Sequence, residues 1–156
     1  VGTPETKAKA NTTPVSGTET RVPITEQSNP LFVSPDGAIE AFDGFAMPEG
    51  DFVWITKDAR FRLARGGQKV SFDLLPFGEL LKNLGPLDVE VHNEATGETA
   101  KFQFTEAGPH TFTLSSPAKG QIVTIKSSKD FCPAEHGGQD TRKLALKFML
   151  NTVKLD

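Results

Sequence analysis

The sequence contains no tyrosine, one tryptophan, one cysteine and three histidines. With Cys132 alone, no disulfide can form within the chain, so packing must hold the fold, and a reducing compartment fits best. No stretch approaches the roughly 20 apolar residues that a membrane-spanning helix needs. We therefore expect no membrane span and a cytoplasmic location. An exported form stays open, because a signal removed before Val1 would leave no trace.

An excess of positive charge is also missing. The 17 lysines and arginines face 20 aspartates and glutamates, which gives a net charge of -3, and both signs are spread along the chain. Nucleic-acid-binding proteins need a concentrated basic surface to neutralise phosphates. We therefore expect no nucleic-acid partner.

Groups that carry catalysis are equally scarce. His92, His110 and His136 fall in separate segments, whereas a zinc site or a cupin-like metal site needs several ligands together. Cys132 and His136 match no known nucleophile and base signature, and a lone cysteine is more often a small buried hydrophobe. We predict a protein that is not an enzyme, with no catalytic and no metal-binding residues. A small β-sandwich enzyme is the less favoured alternative.

The chain divides into two parts. Residues 1–30 are rich in Thr, Pro, Glu, Lys and Ser. They hold too few apolar side chains to offset an ordering cost of roughly 1 to 2 kcal/mol per residue, which predicts a disordered linker or tail. In residues 31–156, apolar and polar side chains alternate as in strands with one buried face. The alternation is clearest in residues 59–64, 70–74, 87–92, 99–104, 110–114 and 144–150.

Turn residues separate these strand-like segments, and one stretch has a different period. Its apolar residues follow the spacing of a short helix: Phe77, Leu80, Leu81 and Leu84. Many short strands between Gly, Pro, Asn and Ser are typical of a sandwich. Residues 31–156 are therefore predicted to form one all-β domain. We expect an antiparallel β-sandwich of jelly-roll or immunoglobulin-like type, with seven to eight strands and at most one short helix.

Carboxylates are concentrated before and around the first strong strand, at Asp36, Glu40, Asp43, Glu49 and Asp51. Calcium takes several oxygen ligands from such side chains, so this cluster is a candidate calcium site. Its spacing matches no EF-hand loop, and a solvated acidic loop is the alternative interpretation. No other cofactor is predicted.

Two features suggest ligand binding. Arg142, in the charged loop before the last strand, is suited to fork onto a carboxylate or sugar hydroxyls, or to tie the loop to the sheet through Asp140, which we favour because loop-to-strand ion pairs are frequent. Trp54 is suited to stack on a sugar ring, or to fill the sandwich interior, which we favour because a single Trp among many Phe usually does so. The candidate ligand-binding residues are Glu49, Asp51, Trp54, Glu135, His136, Asp140 and Arg142.

Six segments carry a family resemblance: Asp43-Gly44-Phe45, Pro48-Glu49-Gly50, Val53-Trp54-Ile55-Thr56, Ala59-Arg60-Phe61-Arg62-Leu63, Phe131-x-Pro133-Ala134-Glu135 and Asp140-Thr141-Arg142-Lys143-Leu144-Ala145-Leu146. Over approximately residues 40–156, the chain resembles a bacterial β-sandwich module. That module is fused to, or encoded beside, glycosyltransferases and methyltransferases of surface-polysaccharide assembly.

The resemblance implies a noncatalytic accessory module, carbohydrate-binding-like and cytoplasmic. A glycan or polysaccharide and a neighbouring catalytic domain are its implied partners. A protein–protein interaction or structural β-sandwich domain is the alternative.

Overall fold

The computed structural model describes residues 23–25 and 27–155, and its elements there are mostly strands. In chain order they are β1 (Phe32–Val33), β2 (Ile39–Phe45), β3 (Phe52–Leu63), β4 (Lys69–Pro76), α1 (Gly78–Leu84), β5 (Leu87–Asn93), β6 (Thr99–Phe104), β7 (His110–Ser115), β8 (Ile122–Ser127), a 3₁₀ helix (Pro133–His136) and β9 (Leu146–Leu155). Among the described residues, no helix is long and apolar enough to span a membrane.

All strand pairings are antiparallel, and the neighbour order is β6-β5-β8-β3-β9-β4-β7, with β2 beside β3 and β1 beside β2. The long strand β3 is shared: residues 58–62 pair with β8, and residues 52–55 pair with β9. At the two ends of the order, β6 and β7 meet through the stacked rings of Phe102 and His110, 3.7 Å apart. The sheet is therefore nearly closed, which confirms the predicted all-β, sandwich-like class.

The interior is filled by side chains from alternate strand positions. In β3, Val53, Ile55, Ala59, Phe61 and Leu63 are buried while their neighbours face outward, as strand geometry requires. Phenylalanine dominates the centre of this core. Ring pairs there include Phe72–Phe148 at 4.9 Å, Phe61–Phe72 at 5.6 Å and Phe61–Phe148 at 5.9 Å.

Strands β2 and β3 approach each other closely at Gly44. This residue has a φ of 78°, and a Cβ placed on it would overlap the carbonyl oxygen of Asp58 and lie 2.7 Å from the Cα of Ala59. The register of β2 on β3 shifts on both sides of this position. Only glycine fits here, because it combines a left-handed backbone with the absence of a side chain.

The structure has nine strands in its described residues, against the seven to eight predicted. The difference lies in β1, which has two residues, and in β2, where Asp43 and Gly44 interrupt the alternation and resemble a turn. The predicted short helix is α1, which ends at Gly85. Residues 1–22 and 26 lie outside the described residues, so the disordered N-terminal segment stays a prediction.

A candidate ligand-binding face

Phe52 and Trp54 lie together on the outer face of β3. Since side chains alternate along a strand, Val53 and Ile55 fill the interior while the two aromatic rings face the other way. Both rings are half-buried and meet edge to face, with centroids 6.0 Å apart. The prediction that Trp54 fills the sandwich interior is therefore wrong, because this position has the opposite parity to its buried neighbours.

Lys147 lies over both rings. Strand β9 pairs Lys147 with Trp54, which places the two side chains on one face. The Nζ atom lies 4.7 Å from the ring centroid of Phe52 and 5.1 Å from that of Trp54, within cation–π range. Phe52 and Lys147 are not among the ligand-binding residues that the sequence predicts. Phe52 could have been predicted from its position two residues before Trp54, because alternate residues of a strand share a face. Lys147 reaches this face only through the pairing of β9 with β3, which the sequence does not reveal.

Arg142 is clamped by two carboxylates, Asp140 and Glu49, and Glu49 lies opposite Phe52. Its Nε and Nη2 atoms donate to Asp140 at 3.0 and 2.7 Å, and its Nη1 atom lies 3.6 Å from Glu49 Oε2. Glu49 forms an antiparallel bridge with Phe52, so these two side chains share a face. The structure thus brings four predicted residues, Trp54, Glu49, Asp140 and Arg142, to one region of the surface.

The pair of Asp140 and Arg142 is ionised over the ordinary pH range. The hydrogen bonds from the Arg142 side chain and backbone lower the pKa of Asp140 from 3.8 to about 2. The hydrogen bond to Asp140 in turn raises the pKa of Arg142. A planar guanidinium held bidentately in this way is fixed before any ligand arrives.

Ring contacts continue from Trp54 to the loop that carries the clamp. Trp54 contacts Phe77 with centroids 4.9 Å apart, Phe77 contacts Phe131 at 5.5 Å, and Phe131 stacks on His136 at 4.4 Å. His136 is exposed at the end of the 3₁₀ helix. The predicted residue His136 is therefore linked to Trp54 through two intervening phenylalanine rings.

The two other predicted residues, Asp51 and Glu135, are exposed and take part in the structure through their backbones. The carbonyl of Asp51 accepts a hydrogen bond from Leu150 N at 2.8 Å, and Glu135 N donates to the carbonyl of Cys132 at 3.0 Å. Within the described part of the chain, neither carboxylate has a hydrogen bond or ion pair to the residues around Trp54.

The acidic cluster of the sequence is dispersed in space. Glu40 pairs with Arg62, and Asp43 pairs with Arg60, while the Asp36 carboxylate accepts hydrogen bonds within its own turn. In residues 23–25 and 27–155, no three His, Cys, Asp or Glu side chains lie close enough together to hold a metal ion. Four of the five predicted carboxylates are thus used in separate ion pairs and turns rather than in one calcium site, and the fifth, Asp51, is exposed.

A cavity of about 620 Å³ lies elsewhere, on the outer face of β5, β6 and β8. Across these strands Glu90 lies opposite both Lys101 and Lys126, and Gln103 donates to Asp88 at 2.9 Å. Alternating charges of this kind are ordinary on the solvated face of a sheet. One aromatic ring, Phe102, lines this cavity, but it lacks the paired rings and the bidentately held guanidinium of the Trp54 region.

Comparisons with known proteins give no family. No protein-family model matches the chain, and no curated protein matches it. Among solved structures it is similar to the secreted serine protease VesC from Vibrio cholerae, with 13% identity, a TM-score of 0.41 and coverage of 76% of this chain and 24% of the protease chain. The chain thus spans about a quarter of that protease chain.

A second similar structure is TmCBM61 in complex with β-1,4-galactotriose, with 11% identity and a TM-score of 0.32. The match covers 79% of this chain and 86% of the TmCBM61 chain. Similarity at this level assigns no function to either the chain or its surfaces, so the functional argument depends on the site itself.

Proposed function

We propose that this domain is a noncatalytic, carbohydrate-binding-like accessory module whose glycan lies on the face formed by Phe52 and Trp54. The observation that carries the proposal is the position of two half-buried rings next to Glu49, one of the two carboxylates that hold the Arg142 guanidinium. Aromatic faces accept the apolar side of a sugar ring, and Arg142 with its carboxylates can bond hydroxyl groups. Because these groups are fixed before binding, little ordering cost opposes association.

Lys147 acts as a displaceable cover on this face. Its ammonium group lies over the rings of Phe52 and Trp54, and a cation–π contact near the surface contributes only about 0.5 to 1 kcal/mol. A sugar ring can therefore replace it on the rings at small cost. The displaced ammonium then donates to ligand oxygens through its three N–H bonds.

The charge pattern around the rings favours binding over catalysis. A pair of catalytic carboxyl groups needs environments that push the two pKa values apart, usually by raising one of them. Here Asp140 has its pKa lowered to about 2 and stays ionised against Arg142. It is therefore poorly suited to donate a proton, and we assign it to holding the guanidinium.

The accessory role rests on the resemblance. Trp54, Glu49, Asp140 and Arg142 all fall within the motifs that resemble the module associated with polysaccharide assembly. In this proposal the domain holds a bacterial surface polysaccharide for a neighbouring glycosyltransferase or methyltransferase on the cytoplasmic side. Its contribution to that enzyme is to position the polymer, while the partner carries the chemistry.

A glycan array followed by NMR titration with bacterial O-polysaccharides tests the glycan part. We expect shifts at the Trp54 indole and around Arg142, and loss of binding in Trp54→Ala. Phe102→Ala is the matched aromatic control, because Phe102 is partly exposed at the seam between β6 and β7, away from this face. Unchanged spectra across the whole panel, from a protein that remains folded, would overturn the proposal.

Protein–protein interaction is the second candidate function, favoured by the edge strand β1. Val33 in this strand and Leu31 just before it are 48% and 52% exposed, and edge strands offer unpaired backbone groups to a partner. Cross-linking and sizing with the neighbouring catalytic domain discriminates the two candidates. A complex that Val33→Lys abolishes, together with no response to any glycan, would favour assembly over glycan binding.

A further inference from the structure

The imidazole of His136 forms a second flat platform, and it lies on the loop between β8 and β9 that also carries Arg142. It stacks on Phe131 at 4.4 Å with an angle of 20° between the ring planes. Phe131 is only 3% exposed and bridges Leu144, so the ring beneath the imidazole is fixed. One imidazole face is therefore held against the protein, while the exposed side chain offers the other face to solvent.

The turn that presents His136 is itself well defined. Gly137 ends the 3₁₀ helix with a φ of 94°, and its N–H donates to the carbonyl of Pro133. Gly138 N also donates to that carbonyl, at 2.8 Å. These bonds keep His136 in place without contributions from a ligand.

A cavity of about 180 Å³ adjoins this platform and is lined by His136 and by polar side chains of α1, namely Glu79, Lys82 and Asn83. A carboxylate, an ammonium and an amide supply both donors and acceptors for hydroxyl groups. The cavity is smaller than the roughly 300 to 1,000 Å³ of pockets that enclose drug-sized ligands. Its size suits a single sugar residue at the end of a longer ligand.

The His136 platform and the Trp54 face are connected by packed aromatic rings and by a shared loop. Phe77 and Phe131 link their rings through successive contacts of 4.9, 5.5 and 4.4 Å. The loop that carries His136 also carries the Arg142 clamp, and Ala134 N donates to the carbonyl of Asp140 at 2.8 Å across it. The spacing between the two platforms is therefore set by the fold.

We infer that the glycan site is extended and takes an oligosaccharide, with one sugar on Phe52 and Trp54 and a distal sugar in a second subsite at His136 and α1. This inference rests on the proposed function and deepens it. It predicts that affinity depends on chain length, because a short glycan reaches one platform and a longer one reaches both.

Isothermal titration calorimetry with size-fractionated fragments of bacterial O-polysaccharides, from monosaccharides to hexasaccharides, tests the second subsite. The proteins are the full chain and its variants His136→Ala, Lys82→Ala, Trp54→Ala and His92→Ala. His92→Ala is the matched control, because His92 is half-buried on the outer face of β5, where its ring bonds Thr99. Thermal unfolding of each variant verifies that it is folded.

We expect the longer fragments to bind about five- to tenfold more tightly than the disaccharides, as one added ring contact can provide. His136→Ala and Lys82→Ala remove this gain and leave disaccharide binding unchanged, while His92→Ala changes neither. Binding that needs Trp54 but shows no dependence on length or on His136 would overturn the second subsite and leave the proposed function intact. No binding of any fragment would overturn both.

Discussion

Adding a single methyl group at Gly44 directly tests the close approach of β2 and β3. Strand β2 pairs along β3, and Gly44 lies where the register shifts on both sides. A Cβ there would overlap the carbonyl oxygen of Asp58 and lie 2.7 and 2.9 Å from the Cα and Cβ of Ala59. Two of these three atoms are backbone, so no side-chain rotation relieves the contact.

The expected cost of Gly44→Ala has two parts. A left-handed backbone conformation costs a residue with a Cβ roughly 1 to 2 kcal/mol, and overpacking against unyielding atoms adds roughly 1 to 3 kcal/mol. The sum, about 2 to 5 kcal/mol, is a large share of the 5 to 15 kcal/mol that holds a typical domain. We therefore expect a marked loss of stability, and a fraction of unfolded protein at elevated temperature.

Gly50→Ala separates these two parts. Gly50 has a φ of 75°, nearly that of Gly44, but nothing lies within 4 Å of its added Cβ. Urea unfolding followed by circular dichroism should give Gly50→Ala only the backbone penalty and Gly44→Ala the larger sum. Equal midpoints for the two variants would refute the close approach of β2 and β3 at this position.

Three further predictions concern the clamp and the core. Arg142→Lys should weaken O-polysaccharide binding roughly tenfold by calorimetry with little change in unfolding, because lysine cannot form the bidentate fork and exposed ion pairs stabilise folds weakly. NMR titration of the Asp140 carboxyl should give a midpoint at about 2 and a return towards 3.8 in Arg142→Ala. Since folding lowers the pKa of Asp140, the stabilisation of the fold by its pairing with Arg142 is complete above about pH 4 and is lost as the pH falls through 2. Phe72→Ala should cost about 3 to 5 kcal/mol in urea unfolding, because Phe72 is fully buried between Phe148 and Phe112; a cost below 1 kcal/mol would contradict the packing.

Alternation predicted most strands because it reports one local property, the face on which each side chain is buried. It did not reveal β2, where Asp43 and Gly44 interrupt the alternation at a close approach of two strands. For Trp54, composition and parity disagreed: a rare large ring suggested the interior, whereas Val53 and Ile55 on either side already occupied it. Parity was the better guide, since it follows from strand geometry and composition does not.

Contacts between residues that are distant in sequence could not be predicted from the sequence. Glu40 is matched with Arg62 and Asp43 with Arg60 only through the register of β2 on β3, so carboxylates that cluster along the sequence suggested a calcium site. Lys147 meets Trp54 across a pairing that joins β9 to β3. A single sequence contains the alternation of each strand but not the order in which strands become neighbours.

The same strand order explains why the rings of the candidate face are only half-buried. Residues 52–55 pair with β9, and the hairpin end at residues 46–49 pairs with them on the other side. This stretch therefore has supporting neighbours on both sides, and among the described residues its two rings stay half-buried, with contacts from Phe77 and Lys147. Hydrophobic burial alone would favour covering such rings, and within the described residues only Lys147 lies over the faces of both. A replaceable cation in that position is consistent with a surface that must open to a ligand, whereas a purely structural patch would gain stability from an apolar residue there. Lys147→Met should accordingly raise the urea midpoint and weaken glycan binding together.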